Sequence, residues 1–82
     1  MGESFVSLRE NNFTENQMKD AYSKLRGREV LEASQMIFFT RRKYPKFTFV
    51  DDIAIGESKS MITFKNGDFV VLKGTVDIWK LK

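Results

Sequence analysis

Cysteine and histidine are both missing from this chain. Without thiols there is no disulfide framework and no thiolate metal site. Without imidazole there is no Ser-His-Asp or Cys-His nucleophile and no histidine-ligated metal. Proline occurs once, and the five glycines are scattered, with no run resembling a phosphate-binding loop. Long apolar runs are lacking too. The longest, Met36-Ile37-Phe38-Phe39, is far short of the roughly 20 residues that span a bilayer. The start, Met1-Gly2-Glu3-Ser4-Phe5, has no basic stretch leading into an apolar one, so it does not read as a secretory leader. A small chain without cysteine suits a reducing compartment, and the expected location is cytoplasmic.

What is present is ordinary globular material. The 82 residues are 41% hydrophobic and 30% charged, with eight Phe, two Tyr and one Trp to fill a core. That length holds one core, so residues 1–82 read as a single small α+β domain.

Residues 13–27 carry every signal of a helix. Thr14 is a good N-cap and Gln17, three positions on, completes a capping box. Phe13 and Met18 form the hydrophobic pair that brackets the cap. Met18, Ala21, Tyr22 and Leu25 fall on one stripe, and Gly27 supplies a left-handed stop. A second helix is expected over 28–40, where Val30, Leu31, Ala33, Ser34, Ile37 and Phe38 share one arc and Glu29-Val30-Leu31-Glu32-Ala33 are good helix formers. The competing reading is a strand over 35–41.

After Pro45 the apolar period changes to two. Phe47–Val50 and Ile53–Ile55 read as short strands around an Asp51-Asp52 turn. Asn66-Gly67 predicts a two-residue hairpin turn that sets Phe64 opposite Phe69 and Ile62 opposite Val71. Lys73-Gly74 predicts another, with Val71 opposite Val76 and Phe69 opposite Ile78. Phe5–Leu8 can add an edge strand. The expected fold is α+β: a two-helix layer (about 14–26 and 28–40) packed on an antiparallel four- to five-stranded β-meander (about 46–81).

In that register Ile62, Phe64, Phe69, Val71, Val76 and Ile78 form the core face. Met61, Val70, Leu72, Trp79 and Leu81 are then surplus apolar residues on the far face. Exposed together they would make a protein-binding or self-association surface, with Trp79 as anchor. The plainer reading is that Phe5, Val6 and Leu8 fold over them, or that the sheet curls and buries them.

Charge gives the second candidate. The net charge of +3 comes entirely from residues 27–50, where Arg28, Arg41, Arg42, Lys43 and Lys46 stand against Glu29 and Glu32. With Arg26 and with Tyr44 as a stacking ring, these residues could contact nucleic-acid phosphates. Alternatively, Arg41-Arg42-Lys43 simply relieve the C-terminal dipole of the second helix. The carboxylates offer no site: Asp51 and Asp52 would point to opposite faces of a strand, and no acidic spacing matches a cation loop. The chain is thus expected to be a small non-catalytic protein-interaction module, a regulator or inhibitor that binds another protein or forms a homodimer. The alternative is a nucleic-acid-binding domain using residues 26–46. No cofactor, metal, membrane or small-molecule substrate is expected.

Overall fold

The computed structural model describes residues 4–34 and 45–81. It is α+β, with one helix packed on a five-stranded antiparallel sheet. In chain order the elements are β1 (Val6–Ser7), α1 (Glu15–Leu25), β2 (Val30–Ala33), β3 (Val50–Ile55), β4 (Lys59–Phe64) and β5 (Phe69–Lys73). Short 3₁₀ turns at Phe47–Phe49 and Ile78–Lys80 flank the last three strands. The strand order is β1-β3-β4-β5-β2, so only β3, β4 and β5 form a meander, and both edges come from the N-terminal part of the chain.

The helix forms as its sequence dictates. Thr14 Oγ1 accepts from Gln17 N at 3.1 Å and Gln17 Oε1 accepts from Thr14 N at 2.8 Å, closing the capping box. Met18, Ala21, Tyr22 and Leu25 are buried on one stripe, each apolar side chain contributing about 1.5–3 kcal/mol for full burial. Gly27 ends the helix with φ +85°. The stripe packs against Val50, Ile53, Ile55, Ile62, Phe64, Val70 and Leu72 from the sheet, with Leu8, Val76 and Leu81 closing the ends of the same cluster. The Tyr22 hydroxyl, at the core margin, donates to the Pro45 carbonyl at 2.5 Å.

The second helix is not present where it can be judged. Residues 30–33 are β2, paired to β5, and the part of the expected helix at 35–40, like the competing strand at 35–41, lies outside the described residues. The pairing supplies the reason. Lys73 N donates to Glu29 O at 2.8 Å and Ser34 N donates to Phe69 O at 3.0 Å, which satisfies an edge of β5 that would otherwise stay open. A register shift between Val30 and Glu32 marks a bulge at Leu31. The extra residue puts Val30 and Ala33, three apart, against the same core, and so imitates the i, i+3 spacing of a helix. The same device appears in β3, where a shift between Val50 and Asp52 brings Val50 and Ile53 to one side. Consequently Asp51-Asp52 is not a turn between two strands. It lies within one strand, and Phe47–Phe49 is a 3₁₀ turn rather than extended.

The β4–β5 register also differs by one residue from the expected one. The structure pairs Thr63 with Phe69, Ile62 with Val70, Met61 with Val71 and Ser60 with Leu72. Its turn is a three-residue loop, Lys65-Asn66-Gly67: Gly67 N donates to Phe64 O at 2.9 Å, and Phe64 N donates to Asp68 O at 2.8 Å. Gly67 alone takes positive φ, +96°, whereas the two-residue type I′ turn needs it at Asn66 as well. One residue of slip exchanges the faces of β5, so Val70 and Leu72 enter the core and Phe69 and Val71 leave it. Beyond Gly74 there is no hairpin strand. Val76 returns to the core and the chain closes in the Ile78–Lys80 turn.

Candidate protein-binding surface

The five residues expected to form an apolar surface are divided by the register. Val70, Leu72 and Leu81 are core residues, Leu72 with no exposed area at all. Met61 is half-buried on the sheet face away from α1, opposite Val71. Trp79 is 86% exposed at the C-terminal turn. The structure therefore does not gather the expected set. Of the five, Trp79 alone is exposed.

The sheet face away from α1 has a different composition from the expected one. Pairing places Ala54, Met61 and Val71 in one row across β3, β4 and β5, and Asp52, Thr63 and Phe69 in the next, and none of these six residues is exposed. Val71 is only 8% exposed yet does not belong to the core cluster under α1. Sequence reading placed Val70 and Leu72 on this face, because the choice between Phe69/Val71 and Val70/Leu72 rested on the turn type.

Trp79 stands on a rigid base. Asp77 Oδ1 accepts from Trp79 N at 3.0 Å, capping the turn. Leu81 is buried and Ile78 packs against the core on either side of it. The Gln17 side chain, already part of the helix cap, donates Nε2 to Leu81 O at 3.1 Å. The indole is thus held outward from a backbone tied to the first turn of α1.

A second exposed aromatic ring was missed in the sequence. Phe49 is 58% exposed because the 3₁₀ turn, not a strand, presents it. Lys65 N donates to Phe49 O at 2.9 Å, which docks the β4–β5 loop beside that turn. Between them lies a cavity of about 280 Å³ whose described walls are Pro45, Phe49, Phe64 and Asn66. Asn66 braces the loop: its Oδ1 accepts from Asp68 N and its Nδ2 donates to Asp68 Oδ2, both at 2.9 Å. One lone pair and one N–H of the amide remain for another partner. No sequence signal marked this hollow, since its walls come from segments about 15 residues apart.

Of the basic candidates, Arg41, Arg42, Lys43 and Tyr44 lie outside the described residues. Arg26, Arg28 and Lys46 are exposed. Arg28 is folded back: its Nε donates to Lys24 O at 3.4 Å, and its guanidinium occupies the space a Cβ at Gly74 would need. Other cations do converge. Arg9, Lys19 and Lys65 line an open basin of about 390 Å³ with Phe47 and Thr48, but Glu15 and Asp51 share it. Arg9 is held there by Asp51, whose carbonyl accepts from Nε at 2.6 Å, and lies 3.8 Å from Glu15. Asp52, on the other side of β3, accepts from the Ser7 hydroxyl, from Arg9 N at 3.0 Å and from Ile53 N at 2.8 Å. Among the described residues no group of three acidic side chains is placed to hold a metal ion, and no helix is long and apolar enough to cross a membrane.

No family model, curated protein or solved structure matches this chain significantly.

Proposed function

We propose that this chain is a small non-catalytic protein-interaction module, a regulator or inhibitor whose principal contact is Trp79. The supporting observation is the 86% exposure of that indole on a turn fixed by the Asp77 cap, the Gln17 bond and the buried Leu81. A large aromatic left in water forgoes a burial free energy of about 1.5–3 kcal/mol or more. Tryptophan is also among the residues most enriched at the centres of protein interfaces. Because the turn is already ordered, little conformational entropy is lost when a partner closes over it.

The test is affinity capture with the wild-type chain and with Trp79→Ala, followed by a measured Kd for each captured protein. A partner that binds wild type and loses at least about 30-fold in affinity with Trp79→Ala supports the proposal. Equal affinities would remove it. Retention of short DNA or RNA that falls steeply with salt, in the absence of a protein partner, would instead favour the basic residues between 26 and 46.

A further inference from the structure

We infer that Trp79 of one copy docks into the Pro45–Phe49–Phe64–Asn66 cavity of a second copy, so that the chain self-associates through a knob and a hollow carried by the same molecule. This rests on the reading of Trp79 as a contact residue and names its occupant.

Three features of the knob and the hollow are complementary. The first is shape and polarity. The knob is a single indole held clear of the protein, and the hollow, about 280 Å³, has a proline and two phenylalanines among its described walls. Aromatic rings favour offset or edge-to-face contacts, which Phe49 and Phe64 offer from two sides. The second is hydrogen bonding. A buried indole needs an acceptor for its N–H, and Asn66 Oδ1 has one lone pair left after accepting from Asp68 N. The third is charge. Asp77 and Lys80 flank Trp79, and Lys65 and Asp68 flank Asn66. Each rim thus carries one charge of each sign, and docking with Lys80 towards Asp68 and Asp77 towards Lys65 is the electrostatically favoured sense. Such rim pairs add specificity more than affinity.

Such a contact joins different surfaces of the two copies. If each copy gives its Trp79 to the other, the pair closes as a dimer; if the rotation does not close, chains grow with concentration. In both cases the only tryptophan of the chain moves from water into an apolar hollow.

That makes the test direct. Molar mass by light scattering and Trp79 emission are followed together from low to high concentration. The expected result is a mass above that of one chain, with emission shifting to shorter wavelength over the same concentration range. Phe49→Ser alters an exposed wall of the hollow and Trp79→Ala removes the knob; the latter should weaken association at least about 30-fold, and the former should weaken it while leaving the emission long in wavelength. A monomer at every concentration with unshifted emission overturns the inference. So does association that survives Trp79→Ala, which would assign the contact to another surface. A monomer whose capture of a different protein still depends on Trp79 overturns self-docking alone and leaves the proposed function standing.

Discussion

Helix α1 and the β4–β5 hairpin contribute side chains to one core, yet they are specified in different ways. Everything that defines α1 is local: a cap at Thr14, its reciprocal partner Gln17, a stripe of four buried residues and a glycine stop. An error of one residue in its boundaries would leave the same stripe facing the sheet. The hairpin has no such tolerance. Its two strands alternate between core and outer face, and the loop alone decides which alternate set is buried. Local agreement of signals is thus strong evidence for a helix and weak evidence for a strand face.

The largest expected effect tests that contrast within two adjacent residues. Leu72→Ala removes a fully buried side chain and should cost about 2–5 kcal/mol of unfolding free energy, measured by urea denaturation. Val71→Ala, one residue earlier on the outer face, removes fewer carbons from a site outside the main core cluster and should cost less than Leu72→Ala. A two-residue turn would reverse the order, because Val71 would then sit in the core and Leu72 outside it.

Next in size is the loop itself. Gly67→Ala places a side chain at φ +96°, and although nothing lies within 4 Å of the new Cβ, the backbone conformation costs about 1–2 kcal/mol. Asn66→Ala should do less, since Asn66 does not have positive φ and loses only its bonds to Asp68, about 0.5–1.5 kcal/mol each. Equal and large losses at both positions would point back to the type I′ turn. Thr14→Ala at the helix cap should cost about 1 kcal/mol, within a range of about 0.5–2. It should leave both hairpin variants' effects unchanged, because the cap and the loop share no partner.

The same contrast explains what was legible. The helix, the α+β class, the edge strand at Val6–Ser7 and the existence of a β4–β5 hairpin followed from residue types and spacing. The strand β2 did not, because its bulge at Leu31 spaces Val30 and Ala33 as a helix would, and its pairing partner lies about 40 residues away. The five residues expected on one apolar surface are not brought together, because the register that grouped them rested on the turn type. Trp79 is exposed although the strand expected to carry it is replaced by the Ile78–Lys80 turn. Val70 and Leu72 face the core and Phe69 and Val71 the other side of the sheet, and Phe49 was hidden by reading a 3₁₀ turn as a strand.

The smallest expected effect on stability is the one that matters most for function. Trp79→Ala removes the largest side chain in the protein from a position where it is 86% exposed, so little burial is lost and the stability change should stay within about 0.5 kcal/mol. The turn beneath it keeps the Asp77 cap, which uses the backbone N–H of residue 79, and the Gln17 bond to Leu81. A core tryptophan would behave oppositely, costing about 3–5 kcal/mol on truncation. Equilibrium unfolding of this variant therefore separates an indole retained for contact from one retained for folding. An unchanged denaturation midpoint, together with lost association or partner binding, would place the role of Trp79 outside the folded chain itself. A loss of several kcal/mol would mean that the indole supports the fold, and the contact reading would fall with it.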